Sequence, residues 1–257
     1  MIINKQSEFL KYLDNEEIQL FNIVDVKKSL GYNGRVLNEI AENLVRIGFL
    51  NRLERGKYCR STFRDENVIG TFLAADGAIA YWSALHLHGF TEQFPNNVFV
   101  QTTKKKNTVS IFGVDYHFIK INLLKRTGIT YNGYGNYKYQ ITDIEKTIVD
   151  CFNLTQYCGG FAELIRAFNQ ANLNVEKLIN YCNSVNNIAV IKRMGFLAEF
   201  FEKDDLVDFI SFAKTKINRT YNLFDPCGET DGVSNTTWYL RLNISKEDIL
   251  GIIQNPY

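Results

Sequence analysis

The sequence is poor in the residues that metal sites and disulfide bonds require. It has 257 residues, among them three histidines and five cysteines, and no two cysteines form a CxxC pair. An odd number of cysteines without paired spacing predicts reduced and mostly buried thiols, as in most cytoplasmic proteins. His86 and His88 are two residues apart, on different faces of a helix, so they cannot share a metal ion. We therefore expect no metal and no cofactor.

Long apolar segments are also missing. No apolar run approaches the roughly 18–20 residues that a membrane-spanning helix needs. The first fourteen residues alternate apolar and charged side chains, which is typical of an amphipathic helix and not of a signal peptide. The sequence therefore predicts a cytoplasmic protein with no membrane partner.

The common catalytic motifs do not occur in this sequence. It contains no GxxxxGK[ST] phosphate loop, no GxGxxG fingerprint and no GxSxG nucleophile elbow. A nucleotidyltransferase would present a Gly-Ser pair at a helix start, ahead of two metal-binding aspartates. No Gly-Ser dipeptide is present. These absences argue against nucleotide-dependent and hydrolytic enzymes.

The acidic residues Asp143, Glu145 and Asp150 are the remaining candidates for catalysis. A restriction-type nuclease needs an acidic residue and a lysine separated by one residue, but Glu145 and Lys146 are adjacent. Adjacent residues point about 100° apart around a helix. The run Thr142–Glu145 is instead typical of a capping box, in which the threonine and Glu145 side chains bond free amides. We therefore expect a protein that is not an enzyme, with a metal-dependent nuclease as a weaker alternative.

Residues 22–60 predict two short helices followed by a two-stranded hairpin. The first helix would run from about Val24 to Leu30 and end at Gly31, with Asn22 or Asp25 as its cap. The second would begin near Asn33 and end at Gly48, and a hairpin turn would follow at residues 55 and 56. The apolar stripe of the second helix consists of Val36, Leu37, Ile40, Leu44 and Ile47. With a first helix over residues 5–14, this order is that of a winged helix-turn-helix.

The charge distribution favours DNA as the partner of this region. Between residues 27 and 64 there are nine basic and three acidic side chains, so the local balance is 9 − 3 = +6 in a chain of net charge +1. Clustered cations neutralise phosphates and release counterions. The residues expected to reach base edges are Arg35, Asn33, Asn38 and Asn43. Those expected to hold phosphates are Lys27, Lys28, Arg52, Arg55 and Lys57.

A protein-binding role for the same region stays open at this point. Winged helices also serve as protein-binding modules, and their charges then only solvate a surface. Glu39 and Glu42 on the second helix favour this alternative, because carboxylates repel phosphates.

The polar segment Ser61–Asn67 predicts a boundary between a winged helix over residues 1–64 and a second domain over residues 65–257. The second domain would contain an apolar helix opened by Asp76 and Gly77, and then a small, mainly antiparallel sheet. Residues 104–107 would form a basic hairpin tip in that sheet. Residues 160–218 read as helices throughout, residues 236–244 as a strand, and Ser245 as the cap of a last helix. This helix-rich pattern with a modest sheet predicts an α+β fold.

Several segments of the second domain resemble the AbiEi family of antitoxins, the regulatory half of type IV toxin–antitoxin systems. The most specific is YWSALHLHGFTEQFP at residues 81–95. Four more follow the family's order along the chain: RGKY at 55–58 lies before it, and ITDIEKTIVD at 141–150, IKRMGFLAEFF at 191–201 and LFDP with WYLRLN at 223–226 and 238–243 lie after it. Each segment is weak alone, but five in the same order cover nearly the whole chain.

The resemblance implies an antitoxin of phage defence by abortive infection. Such a protein represses its own operon through a winged helix on operator DNA, usually an inverted repeat. Its C-terminal domain counteracts a nucleotidyltransferase toxin, directly or functionally. The motif residues read as fold-defining, and the candidates for a partner surface are His88, Gln93, Lys104, Lys105 and Lys106. The alternative is a stand-alone transcriptional regulator whose C-terminal domain senses a ligand or a protein.

Overall fold

The computed structural model describes residues 2–93 and 96–254, which form a mixed α+β fold as predicted. Its N-terminal part alternates helices and short strands. They are α1 (Ile2–Asn15), β1 (Leu20–Asn22), α2 (Ile23–Leu30), α3 (Gly34–Arg46), β2 (Leu50–Glu54) and β3 (Lys57–Arg60). The strands form an antiparallel sheet in the order β1-β3-β2.

The ends of α2 and α3 follow from capping residues visible in the sequence. The Asn22 side chain accepts a hydrogen bond from the Val24 amide at 3.1 Å, and Asn33 accepts one from Arg35 at 2.9 Å. Gly31 ends α2 with φ +66°, a left-handed conformation that glycine adopts without strain. The predicted helix limits at Asn22, Gly31 and Asn33 are therefore confirmed.

The three N-terminal helices pack around a small core against one face of the sheet. Phe9 and Leu13 of α1 meet Leu37 and Leu44 of α3 and Tyr58 of β3, all essentially inaccessible to solvent. The predicted inner stripe of α3 is correct except at its end. Ile47 is 58% exposed because the helix ends at Arg46, so the stripe no longer faces the core there.

A six-stranded sheet forms the middle of the molecule. Its elements, with two helices, are α4 (Glu66–Leu73), β4 (Ala78–Ile79), α5 (Tyr81–Leu87), β5 (Asn97–Thr102), β6 (Val109–Ile111), β7 (Val114–Lys120), β8 (Ile129–Asn132) and β9 (Tyr139–Thr142). The strand order is β6-β7-β5-β4-β9-β8. Two neighbouring pairs, β5–β7 and β4–β9, are parallel, and the other three are antiparallel.

Two predictions about this sheet were wrong in detail. The predicted helix after Gly77 begins only at Tyr81, because Ala78 and Ile79 form a strand that pairs with β5 and β9. An apolar run buried on both sides has no periodicity that separates strand from helix. The segment 104–107 is not a hairpin tip either, since β5 pairs with β7 and not with β6. It is a connection that leads to β6 at the sheet edge.

The predicted capping box at α6 (Ile144–Asn153) was also wrong. The cap is Asp143, whose carboxylate accepts from the Lys146 amide at 2.9 Å. Thr142 still belongs to β9, and its hydroxyl lies 2.7 Å from that of Thr147. Glu145 turns away from its own helix and accepts the Asn174 amide at 2.9 Å. The sheet therefore extends one residue further than the local pattern suggested.

The C-terminal part is a helical layer closed by a three-stranded sheet. It contains α7 (Phe161–Gln170), α8 (Val175–Val185), α9 (Ile188–Phe200), α10 (Val207–Lys216), β10 (Asn222–Leu223), β11 (Val233–Asn235), β12 (Leu240–Leu242) and α11 (Lys246–Gln254). The predicted helices between 160 and 218 are confirmed, whereas the strand predicted over 236–244 is limited to β12. Ser245 caps α11 by accepting the Asp248 amide at 3.0 Å.

The N-terminal part is packed directly against the central sheet. Leu53, Cys59 and Phe63 share a core with residues of α4 and with Tyr116 of β7. The hairpin β2–β3 therefore has the helices α1–α3 on one face and the central sheet on the other. Among the described residues, no helix has the length and apolar character needed to cross a membrane.

Candidate nucleic-acid interface

The surface of α3 carries the polar side chains predicted for it. Arg35, Asn38, Glu39 and Arg46 are exposed, while Leu37, Ile40 and Leu44 on the opposite side are buried. The exposed positions recur at three- and four-residue steps or their multiples, so they form one stripe along the helix. Arg46 was not among the predicted DNA contacts, although its spacing of eleven residues from Arg35, about three turns, places it on this stripe.

Glu42, the second acidic residue of α3, is neutralised within the protein. Its carboxylate accepts a hydrogen bond from the buried Tyr58 hydroxyl at 2.8 Å and pairs with Arg52 at 3.3 Å. Burial, with the bond to Glu42, raises the pKa of Tyr58 to about 12, so the hydroxyl stays a donor. The carboxylate therefore fixes the hairpin against α3 and carries little free negative charge.

Between residues 27 and 55, five cations are exposed and form no ion pair with any described residue. They are Lys27, Lys28, Arg35, Arg46 and Arg55. Arg55 lies at the tip of the hairpin, where Gly56 has φ +78° and its carbonyl accepts the Ile23 amide at 2.8 Å. The tip is thereby held at the beginning of α2. Because they are not neutralised within the protein, these cations are available to pair with the phosphates of a nucleic acid.

Other cations of the region are occupied by internal contacts. Lys57 Nζ donates to the carbonyls of Phe72 and Leu73 at 3.0 and 2.8 Å and pairs with Glu54 at 2.9 Å. Lys57 was predicted to hold a phosphate, but its ammonium group is occupied within the protein and ties the hairpin to the end of α4. Arg60 pairs with Asp14.

The predicted asparagine contacts differ in their availability. Asn38 is exposed and its side chain forms no hydrogen bond within the described residues. Asn33 uses its side-chain oxygen as the cap of α3, and Asn43 is half-buried. Arg52, predicted to hold a phosphate, is exposed but shares its charge with Glu42. Arg35 and Asn38 are thus the two base-reading candidates with free side chains.

The predicted partner residues of the second domain separate into two groups. His88 Nε2 lies 2.7 Å from the Thr142 carbonyl, and Gln93 donates to Glu163 at 3.4 Å, so both tie the segment after α5 to its neighbours. The last residues of the family-like segment, 94 and 95, lie outside the described residues. Lys104 and Lys105 are exposed, whereas Lys106 reaches back to Glu54 of the hairpin.

The acidic residues of α6 are engaged in internal contacts as well. Asp143 accepts bonds from Tyr181 at 2.8 Å and Lys177 at 3.1 Å in addition to capping its helix. Asp150 is buried beside the fully buried Lys146, and burial raises its pKa. Within residues 2–93 and 96–254, no group of three or more His, Cys, Asp or Glu side chains is placed to hold a metal ion.

Comparisons with known proteins give a fold relationship. No protein-family model matches this sequence, and no curated protein matches it. Among solved structures, the chain is similar to the crystal structure of the RV2827C protein from Mycobacterium tuberculosis. The TM-score is 0.66 at 14% sequence identity, over 97% of this chain and 94% of the other. At this identity the similarity concerns the fold alone.

Proposed function

We propose that residues 1–64 form a winged helix-turn-helix that binds double-stranded DNA. The observation that carries the proposal is the exposed stripe of α3, with two arginines free of ion pairs, beside a hairpin whose tip carries a third. In a winged helix the second helix of the motif enters the major groove and the hairpin lies over the phosphates. The order α2–α3–hairpin provides both parts.

The proposed roles follow from the free side chains. Arg35 and Asn38 are the base-reading residues, because arginine suits guanine and asparagine suits adenine in the major groove. The exposed cations Lys27, Lys28, Arg46 and Arg55 hold phosphates. Four phosphate-neutralising cations predict a slope of about −4 for log K against log salt, at about 0.9 per phosphate.

We further propose that the protein is the antitoxin and autorepressor of a toxin–antitoxin pair, with a nucleotidyltransferase toxin as its functional counterpart. The support is the AbiEi-like segments, which lie far apart in sequence but contact one another. Gly195 of α9 lies against the Trp238 ring, and Arg193 donates to the Leu223 and Phe224 carbonyls at 3.1 and 3.0 Å. If this chain has the fold of the AbiEi family, the residues that resemble the family should be those that hold the core together, and these contacts support that.

The DNA-binding half is tested by a mobility shift with the full chain. The probe is the duplex upstream of the protein's own gene, compared with a scrambled duplex at two salt concentrations. We expect preferential, salt-sensitive binding that Arg35→Ala reduces far more on the upstream duplex than on the scrambled one. Arg219→Ala, which removes an exposed arginine outside the N-terminal part, is the matched control. Absence of any preference would make the N-terminal part a protein-binding module.

The antitoxin half is tested by co-expression with the neighbouring gene. If that gene encodes a Gly-Ser-type nucleotidyltransferase whose expression arrests growth, we expect this protein to restore growth. If an Arg35→Ala variant expressed at the same level also restores growth, neutralisation of the toxin does not depend on repression of the operon through DNA binding. Growth arrest that persists in the presence of the wild-type protein would favour the stand-alone regulator.

A further inference from the structure

A lysine-rich connection of the central sheet lies against the proposed DNA-binding hairpin. It is residues 103–108, between β5 and β6, and we refer to it as the lysine loop. Lys106 Nζ contacts the Glu54 carboxylate next to the hairpin tip and lies 5.2 Å from the centre of the Phe118 ring. Burial alone would raise the pKa of Glu54, but bonds from Lys106 and Lys57 outweigh it and lower the pKa. The carboxylate therefore stays charged and joins the two segments.

The start of the lysine loop is held in place by Asp76. Its carboxylate accepts hydrogen bonds from the Thr102 hydroxyl, from the Thr103 amide at 2.9 Å and from the Thr103 hydroxyl at 2.5 Å. These bonds outweigh partial burial and lower the pKa of Asp76 to about 2. The loop is thus fixed at Thr103 on one side of its lysines and at Lys106 on the other. Little conformational freedom remains to be lost when the lysines bind.

Lys104 and Lys105 lie between these fixed points. Both are exposed, and neither forms an ion pair with any residue in the described part of the chain. They precede Lys106 directly in sequence, and the contact of Lys106 with Glu54 places the lysine loop beside the hairpin tip, on the face of the hairpin opposite to α3. Exposed cations without ion pairs therefore lie at the hairpin tip, at Arg55, and on the loop beside it.

We propose that Lys104 and Lys105 bind DNA phosphates beside the hairpin, so that the second domain contributes to the DNA footprint. This rests on the proposed DNA-binding function. The occupant is the backbone of the same duplex, because the loop is bonded to the hairpin at Glu54, next to the exposed Arg55 of the hairpin tip. Since α3 and the lysine loop are on opposite faces of the hairpin, the loop reaches phosphates beyond those that α3 reaches.

The test compares two double variants of the full chain that remove the same charge. Lys104→Ala/Lys105→Ala alters the lysine loop, and Lys216→Ala/Lys246→Ala alters exposed lysines of α10 and α11. Each is titrated with the upstream duplex and with a scrambled duplex over a series of salt concentrations. We expect the loop variant to weaken binding to both duplexes by a similar factor, about tenfold at low salt. Its salt slope should fall by about 2, at roughly 0.9 per lost phosphate contact.

A hydroxyl-radical footprint locates the lost contacts. On the upstream duplex, the loop variant should protect fewer nucleotides than the wild-type chain. The lost protection should lie at the end of the protected region that the hairpin covers, and the nucleotides that α3 covers should stay protected. Affinity, slope and footprint equal to those of the Lys216→Ala/Lys246→Ala variant would overturn the inference while DNA binding by α3 stood. Lys104 and Lys105 would then be available to an acidic protein partner. Failure of the wild-type chain to bind either duplex would overturn both proposals.

Discussion

The N-terminal and C-terminal parts of the molecule use their positive charges in opposite ways. In the N-terminal part, five cations between residues 27 and 55 are exposed without acidic partners among the described residues, namely Lys27, Lys28, Arg35, Arg46 and Arg55. In the C-terminal part, Lys146, Lys192 and Arg193 are buried, and each has acceptors around its charged group. A free surface cation can bind an external anion, whereas a buried and fully bonded cation can only stabilise the fold.

This difference separates the family-like segments by role. Segments 141–150 and 191–201 contain Asp150 and Arg193, which are buried among carbonyls, ammonium groups and rings. Removing either side chain would leave buried polar groups without a partner, so both stabilise the fold. The residues available for recognition lie instead on α3 and the hairpin, where a change costs little stability. Four predictions test this separation.

The largest expected effect is the loss of Asp150. The substitution Asp150→Ala leaves the fully buried Lys146 ammonium without its counter-charge, and breaking a buried pair in this way costs about 3–5 kcal/mol. Chemical denaturation followed by circular dichroism measures the free energy of unfolding. The control is Lys214→Ala, which removes the exposed Lys214–Glu199 pair and should cost less than about 1 kcal/mol. Equal losses would mean that burial does not distinguish the two pairs.

A second stability effect is expected at Gly195. A Cβ added there would overlap the ring of Trp238, which is completely buried and cannot move aside freely. Gly195→Ala should therefore lower the free energy of unfolding by about 3 kcal/mol through overpacking. Gly251→Ala in α11 is the matched control, since a Cβ added at that position would meet no atom within 4 Å. That change should be neutral or stabilising by up to about 1 kcal/mol.

The third prediction concerns a residue whose loss should weaken DNA binding but leave the free energy of unfolding almost unchanged. Arg35→Ala removes an exposed side chain and should change the free energy of unfolding by less than about 0.5 kcal/mol. The same change should cost roughly 1–3 kcal/mol of binding to the upstream duplex and relax the base preference at one position. Chemical denaturation measures the first quantity, and fluorescence anisotropy on the upstream and scrambled duplexes measures the second. A loss of stability comparable to that of Asp150→Ala would place Arg35 among the structural cations.

The sequence predicted local structure well where short-range chemistry determines it. The asparagine caps, the glycine at the end of α2 and the hairpin turn depend on neighbouring residues, so a local pattern is sufficient. The strand at Ala78 and Ile79 was missed because its pairing depends on β5 and β9, which are distant in sequence. The capping role of Glu145 was misassigned because its partner, the Asn174 amide, lies 29 residues away.

The candidate site shows the same limit. Charge counting identified the basic region, and helical spacing identified the stripe of α3. Neither could show that Lys57 is bonded to the end of α4, or that Glu42 is occupied by Tyr58 and Arg52. The approach of Lys106 to Glu54 depends on how the central sheet packs against the hairpin, and no pattern within either segment indicates it.

The smallest expected effect concerns the thiols, which report burial directly. Cys59, Cys151, Cys158 and Cys182 are buried, and burial raises the pKa of each thiol; the values for Cys59 and Cys158 reach about 11 and 12. Cys227 is exposed. Because the thiolate is the reactive form, the native protein should react rapidly with a thiol reagent such as DTNB at one cysteine near pH 8, and at all five after denaturation. Cys227→Ala should abolish the fast reaction. Fast labelling at Cys59 would show that the hairpin separates from the central sheet in solution, and the fixed placement of the lysine loop would then be lost.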